Sequence, residues 1–171
     1  MKGYIQVYTG NGKGKTTAAL GLSLRAAGAG LKVIIVQFLK SGDYSEIKAL
    51  AKLSGLITIE QYGLGHFVRG KPSPEDMEAG KKGLERVRSI IDDGQYDILV
   101  IEEGNVAVTC GLFSAQDLLD AIADRPDHME IVITGRGAAR EIIETADLVT
   151  EMKEIKHYYQ KGVKARHGIE K

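Results

Sequence analysis

Nine residues near the start of the chain read Thr9-Gly10-Asn11-Gly12-Lys13-Gly14-Lys15-Thr16-Thr17. They follow an alternating apolar run, Tyr4 to Tyr8, and they precede an alanine-rich stretch, Ala18 to Ala29, whose apolar residues have helical spacing. A strand, a glycine-rich turn and a helix in this order are the context that a phosphate-binding loop requires. The sequence therefore predicts a strand-turn-helix unit whose turn binds phosphate.

The residue types in this turn suit phosphate binding for physical reasons. The three glycines let the backbone turn tightly and present successive N–H groups to one anion, and the following helix adds the positive end of its dipole. We expect Lys15 to reach the terminal phosphates of a nucleotide and the Thr16 hydroxyl to hold Mg²⁺. The usual motif has glycine where this chain has Thr9, so the match departs from the strict pattern there. The flanking pattern favours nucleotide binding over a plain glycine-rich turn.

Composition limits the class of protein. The chain has 171 residues, of which 43% are hydrophobic, and this suits one folded domain over residues 1–171. The 23 basic and 23 acidic residues cancel, so no global field favours nucleic acid. The single cysteine, Cys110, cannot form a disulfide within the chain, and we expect it to be a small buried apolar group. Met1-Lys2 leads into the first strand, and the longest apolar runs are too short to span a bilayer. We therefore expect a cytoplasmic protein with no membrane partner.

Strand and helix patterns alternate along the rest of the chain. Lys32–Leu39 is nearly continuous in apolar and β-branched residues, which is typical of a strand buried on both faces of a parallel sheet. Further strands are predicted at Leu56–Tyr62, Asp97–Ile101, Met129–Thr134 and Leu148–Ile155. Helices are predicted at Asp43–Leu53, from a Ser73 cap to about Asp93, from a Ser114 cap to Ala123, and at Ala138–Thr145. The pattern predicts an α/β fold with a mostly parallel, twisted sheet of about six strands flanked by helices, of the P-loop NTPase (RecA-like) type.

Ligands on such sheets bind at the carboxyl ends of the strands. Glu102-Glu103 end one buried strand and Gly135-Arg136-Gly137 follows another, so we expect both at the same edge as the phosphate loop. Adjacent carboxylates at a strand end point opposite ways, so one is expected to face Mg²⁺ and the other a neighbouring loop. Arg136 can clamp a phosphate with two parallel hydrogen bonds. Solvated glutamates and a surface arginine are the alternatives.

Other features are less informative by themselves. Gly63 to Pro74 reads as a loop long enough to be functional. Arg25 looks like a charge near the C-terminal end of the first helix. His66, His157 and His167 lack metal-ligand spacing and are interpreted as surface or packing residues. The basic tail, residues 156–171, is expected to be irregular and solvated. The residues alone thus predict a domain that binds Mg-ATP and leave open which bond of ATP is broken.

Together these residues resemble the P-loop type of ATP:corrinoid adenosyltransferases of vitamin B12 metabolism, over nearly the whole chain. Tyr8–Ala19 is similar to that family's own variant of the phosphate loop, Thr9 included. A long and specific match is Ile133–Ala138 followed by Ile143–Met152. Glu102-Glu103-Gly104-Asn105 stands where the family commonly has Asp-Glu-hydrophobic-Asn, and the residues from Lys156 to Glu170 resemble its closing segment.

The resemblance implies that a reduced cob(I) corrinoid attacks the 5′ carbon of ATP and that triphosphate leaves. The corrinoid implied is cob(I)yrinic acid a,c-diamide or cob(I)alamin, and no protein acid, base or nucleophile is needed because cobalt is the nucleophile. The residues implied to bind the nucleotide are Gly10, Asn11, Gly12, Lys13, Gly14, Lys15, Thr16, Thr17, Arg25 and Arg136. Those implied for Mg²⁺ are Thr16 and Glu103, with Glu102 as a second choice. Those implied for the corrinoid loop are Gly63, Gly65, His66 and Phe67. A homodimer and a reductase that supplies cob(I) are the implied partners.

Two other classes of function are compatible with the residues. A P-loop ATPase or kinase would cleave the terminal phosphate of ATP, and a regulatory module would bind ATP without turnover. The chain has no obvious glutamine to position water and no obvious base for an attacking hydroxyl, which counts against the first. It departs from the family pattern at Glu102 and at Gly65-His66-Phe67, and it is expected to lack the family's extra N-terminal segment.

Overall fold

A computed structural model describes residues 2–53, 55–66, 68 and 70–170. The strands are β1 (Ile5–Thr9), β2 (Val33–Phe38), β3 (Ile57–Tyr62), β4 (Ile98–Glu102), β5 (Glu130–Thr134) and β6 (Leu148–Glu151). The α-helices are α1 (Lys15–Gly28), α2 (Ser45–Leu50), α3 (Pro74–Asp93), α4 (Gly104–Thr109), α5 (Ala115–Ile122) and α6 (Arg140–Thr145). Short 3-10 turns follow at Ala51–Leu53 and Tyr158–Lys161.

The six strands form one sheet in the order β3-β2-β4-β5-β1-β6, and every strand pair among the described residues is parallel. This confirms the predicted α/β fold. β1 lies between β5 and β6, and β5 joins it to β4. The loops that follow β1, β4 and β5 therefore leave the sheet side by side, at the edge where parallel sheets bind ligands.

Helices cover both faces of the sheet. On one face, the apolar side chains of α3, α5 and α6 pack against strand residues such as Val36, Ile101 and Ile133. On the other face, α1 and α2 pack against Ile35 and Val100. All six residues of β2 are buried, as its continuous apolar run predicts. The core thus fixes the strand ends from both sides, which gives the loops at the carboxyl edge a rigid base.

The predicted serine caps of two helices are confirmed. Ser73 and Ser114 each accept a hydrogen bond from the backbone N–H three residues on, and the aspartate carboxylate at that position accepts one from the backbone N–H of the serine. These capping boxes fix the starts of α3 and α5. In the described part of the chain, no helix combines the length and the hydropathy needed to cross a membrane.

Several boundaries differ from the sequence predictions. α1 begins at Lys15, inside the glycine-rich motif, and α6 begins at Arg140 because Ala139 is still extended. The periodicity does not predict α4, a six-residue helix of small and β-branched residues. β6 ends at Glu151 instead of Ile155, because the chain leaves the sheet there and passes over the phosphate loop. Cys110 is only partly buried.

Candidate active site

The glycine-rich turn lies against the backbone that follows β6. Gly10 and Gly14 have φ values of 94° and 124°, which side chains rarely adopt. A Cβ atom at Gly10 or Gly12 would lie 2.5 or 2.6 Å from the carbonyl oxygen of Met152. The Gly12 N–H donates a hydrogen bond to the same oxygen at 2.6 Å. Glycine is therefore required at Gly10 for conformation and space, and at Gly12 for space.

Lys15 reaches back across this turn. Its ammonium group donates to the carbonyl oxygens of Gly10 and Gly12, each at 2.7 Å. Burial lowers the pKa of Lys15, and the positive charge of Arg136 lowers it further, against the opposing effect of the nearby glutamates. Arg136 itself is exposed. Two cations thus converge on the turn, which suits the binding of a polyanion.

Glu102 links the turn to the neighbouring strands. Its carboxylate is 2% exposed and accepts hydrogen bonds from the hydroxyls of Thr16 at 2.5 Å and Thr134 at 2.6 Å. The family resemblance implies Glu103 for Mg²⁺, yet Glu102 is the carboxylate that contacts Thr16. A hydroxyl and a carboxylate side by side are the hard oxygen ligands that Mg²⁺ prefers.

Lys40 completes this group, although no motif in the sequence identifies it. Its ammonium nitrogen lies 3.0 Å from a Glu102 oxygen, 3.5 Å from a Glu103 oxygen and 3.4 Å from the Thr16 hydroxyl. Burial disfavours its charge, but the two carboxylates outweigh burial and raise the pKa of Lys40. The signal that could have found it is its place two residues after the end of the buried strand β2.

The expectation that Glu102 and Glu103 point opposite ways is wrong. Both carboxylates contact Lys40, because Glu103 leaves the strand in a left-handed conformation with φ of 58°. Burial raises the pKa of Glu103, and so does the Glu102 charge, while Lys40 opposes the rise. The site therefore holds two neighbouring carboxylates that share one ammonium group.

Helix α4 packs against the turn that follows β5. Asn105 donates a hydrogen bond to the Gly135 carbonyl at 3.3 Å, and a Cβ atom at Gly135 would lie 3.0 Å from the Val106 nitrogen. Thr9 accepts a hydrogen bond from the Ala138 N–H at 3.2 Å. The threonine that departs from the usual motif thus ties the phosphate loop to the turn that carries Arg136.

The other predicted nucleotide ligands differ in position. Asn11 is exposed in the turn, and Thr17 is exposed in the first turn of α1. Arg25 is exposed on α1, ten residues after Lys15 and so about 15 Å further along the helix axis. It lies near Tyr8, whose pKa is raised by burial against the effect of the Arg25 charge. The structure therefore does not bring Arg25 to the turn, and its role stays a prediction.

The tail is largely exposed, as expected, but it also contacts the phosphate loop. Lys13 donates to the carbonyl oxygen of Ile169 at 3.0 Å and lies 3.7 Å from the Glu170 carboxylate. Glu170 also accepts hydrogen bonds from Tyr158 and Arg166. His167 lies 3.5 Å from the Ser45 hydroxyl at the start of α2. Residues 152–170, which we call the closing segment, therefore pass over the turn from β6 to α2.

The predicted corrinoid loop begins beside Lys40. A Cβ atom at Gly63 would lie 2.3 Å from the Lys40 backbone nitrogen, and Gly65 has a positive φ of 78°. His66 lies 3.1 Å from a carboxylate oxygen of Asp76 at the start of α3. Phe67 lies outside the described residues. Whether this loop contacts a corrinoid stays a prediction.

A parallel α/β sheet with a glycine-rich loop before α1, a lysine and threonine opening that helix, and a buried acid at the end of β4 defines a P-loop nucleotide-binding protein.

Comparison with known proteins then gives the family. Residues 1–170 match the family model of the ATP:corrinoid adenosyltransferases BtuR/CobO/CobP. The corrinoid adenosyltransferase of Escherichia coli K12 is 34% identical over 169 residues, which are 99% of this chain and 86% of that protein. Salmonella typhimurium CobA gives the same identity and coverage, and the Pseudomonas aeruginosa enzyme is 32% identical over 170 residues, 99% of this chain and 84% of its own length. The chain belongs to the ATP:corrinoid adenosyltransferase family.

Proposed function

We propose that this protein transfers the 5′-deoxyadenosyl group of ATP to the cobalt of a reduced cob(I) corrinoid and releases triphosphate, in the synthesis or salvage of the B12 coenzyme. The observation that carries the proposal is the phosphate loop with Lys15 folded across it and Thr16 bonded to Glu102, in a chain of this family. As the preferred corrinoid we propose cob(I)yrinic acid a,c-diamide, which rests on the resemblance of the sequence motifs.

The reaction requires positioning and charge neutralisation from the protein. The cobalt electron pair forms the bond to the 5′ carbon, and the carbon–oxygen bond breaks with its electrons moving to the triphosphate. No proton is removed, so no general base is needed. Lys15 and Arg136 would neutralise the charge on the leaving triphosphate, and the loop N–H groups would orient it.

A magnesium ion fits the residues at this edge. Within the described residues, no three His, Cys, Asp or Glu side chains are grouped to hold a metal ion unaided. Mg²⁺ is commonly held by one or two carboxylates together with substrate phosphates. Thr16 and Glu102 would supply the protein oxygens, and Glu103 lies near enough to Lys40 to belong to the same group. The ion, when bound, would neutralise further phosphate charge.

The corrinoid would bind over the same edge. The loop from Gly63 to Phe67 is proposed to contact it, because Gly63 packs on the backbone of Lys40 beside the carboxylates. The homodimer, the reductase and the cytoplasmic location stay predictions.

An anaerobic assay with Mg-ATP and chemically reduced corrinoid tests the reaction. We expect the cob(I) spectrum to disappear and intact triphosphate to form in equal amount. Release of ADP without corrinoid would instead favour an ATPase or kinase, and ATP binding without either product would favour a regulatory module. Comparing cob(I)yrinic acid a,c-diamide with cob(I)alamin tests the proposed corrinoid.

Replacing Lys15 tests the placement of the nucleotide. Lys15→Ala removes a charge-assisted hydrogen bond of about 1.5–3 kcal/mol, so we expect ATP affinity to fall by about 10- to 100-fold in isothermal titration calorimetry. Lys82→Ala is the matched control, since Lys82 is exposed on α3 and pairs only with Glu78 among the contacts described. Equal ATP affinity in the Lys15 variant and wild type would contradict the placement.

A further inference from the structure

The Lys40 ammonium group contacts the Thr16 and Glu102 oxygens, which we propose as ligands of Mg²⁺. Lys40 is 3.0 Å from the Glu102 carboxylate and 3.4 Å from the Thr16 hydroxyl, and the Glu103 carboxylate lies 3.5 Å away. Its side chain is 24% exposed, so water replaces these contacts poorly. A divalent cation bound to the same oxygens would lie within a few ångströms of this charge and be repelled by it.

The backbone next to Lys40 and Glu102 adopts unusual left-handed conformations. Within the described residues, the non-glycine residues with positive φ are Leu39, at 61°, and Glu103, at 58°. They adjoin Lys40 and Glu102, the two partners of this partly buried ion pair. Gly63 leaves the space that the Lys40 backbone fills, since a Cβ atom there would be 2.3 Å from its nitrogen. Strained backbone of this kind persists where the surrounding structure enforces it, and it concentrates at functional sites.

We propose that Lys40 is a positioning residue that competes with the cation for the Thr16 and Glu102 oxygens and gives them up when Mg-ATP binds. Its ammonium group then pairs with the phosphates, which replace the carboxylates as its counter-charge. The metal alone binds weakly, because it has to displace a paired ammonium group without any new partner for it. Metal and nucleotide therefore bind together. This inference rests on the proposed function, because it uses the proposed Mg²⁺ ligands.

Binding of Mn²⁺ without nucleotide tests the proposal. Lys40→Gln removes the positive charge and keeps an N–H donor for Glu102, so we expect Mn²⁺ to bind about tenfold tighter or more than to wild type, measured by electron paramagnetic resonance of the free ion. Lys40→Arg keeps the charge and should bind Mn²⁺ as weakly as wild type. Lys48→Gln is the control for loss of an exposed lysine, since Lys48 pairs with Asp43 at the surface.

The outcomes separate this proposal from the function on which it rests. Equal Mn²⁺ affinity in Lys40→Gln and wild type overturns the role of Lys40. If wild type binds Mn-ATP without a contact between the metal and Thr16, the proposed metal site is wrong instead. If Lys40→Gln is unstable, Mn²⁺ should raise its melting temperature more than that of wild type, and an equal rise also overturns the proposal.

Discussion

Single residues with unusual backbone requirements surround the site. A left-handed conformation costs a non-glycine residue of order 1–3 kcal/mol, and Leu39 and Glu103 both adopt it. The Leu39 side chain packs against the apolar core, and the Glu103 side chain contacts Lys40. Glycine at either position would relieve the strain but lose these contacts. The strain turns the chain sharply at the ends of β2 and β4. It brings Lys40 and both carboxylates to one point.

Replacing Gly63 tests how closely this point is packed. Gly63→Ala places a Cβ atom 2.3 Å from the Lys40 nitrogen, so the backbone must shift. We expect the free energy of unfolding to fall by about 1–3 kcal/mol, as for other overpacked positions. Urea denaturation measures this change.

Gly21→Ala is the matched control. Gly21 is in α1, and a Cβ atom there meets nothing within 4 Å. We expect it to stabilise the protein by about 0.5–1 kcal/mol, since glycine weakens a helix interior relative to alanine. Equal effects of the two substitutions would show that the Gly63 position is not close-packed.

The residues that sequence reasoning finds and misses at the site differ in kind. Lys15 and Thr16 are identified by local spacing, because a phosphate loop is a continuous segment. Lys40 is missed because its partner Glu102 is 62 residues away, and only the adjacency of β2 and β4 joins them. The role of Thr9 is hidden for the same reason, since Ala138 lies on another loop.

At the scale of elements, edge strand β3 is fastened to helix α3 by a polar cluster. Arg86 donates two parallel hydrogen bonds to the Glu60 carboxylate, both at 2.9 Å, and the Tyr62 hydroxyl donates to the same carboxylate at 3.0 Å. Burial raises the pKa of Tyr62 to about 12, and its contact with Glu60 adds to the rise. The cluster holds the strand end from which the predicted corrinoid loop leaves the sheet.

This cluster predicts how stability depends on alkaline pH. The pKa of Tyr62 is higher in the folded protein than its ordinary value of 10.0. Its contribution to stability is therefore complete below pH 10.0 and is lost as pH rises through about 12. Tyr62→Phe should remove part of this loss, measured by urea denaturation at several pH values, and should remove one late-titrating tyrosine from the absorbance titration. An unchanged number of late-titrating tyrosines would contradict the assignment.

Sequence periodicity predicts elements well where burial is uniform. Every predicted strand forms, because alternation and continuous apolar runs report directly on the faces of a sheet. The predicted start of α1 and the predicted end of β6 are wrong. Both boundaries lie at the phosphate loop, where backbone contacts such as the one between Gly12 and Met152 decide them. Helix α4 is missed because its six residues have weak helix propensity and are held by tertiary contacts.

For the whole molecule, the strand order decides which loops meet at the candidate site. Order β3-β2-β4-β5-β1-β6 brings the ends of β2, β4, β5 and β1 into one row. Periodicity does not contain this order, because any parallel arrangement would bury the same residues. The closing segment adds a contact from the far end of the chain, where Ile169 and Glu170 meet Lys13. The candidate site is therefore assembled from segments spread over the whole sequence.

Ligand binding to such a site stabilises the entire fold, and hydrogen exchange can measure this. ATP at 100 times its dissociation constant should stabilise the native state by about 2.7 kcal/mol. Backbone amides of β2 and β4, whose residues are all buried, exchange through global unfolding and should slow by about 100-fold. Amides of β6, an edge strand with all four residues exposed, open locally and should slow less. In Lys15→Ala, the same ATP concentration should give little of this protection. Equal protection of β2 and β4 in that variant would place the nucleotide away from the glycine-rich turn.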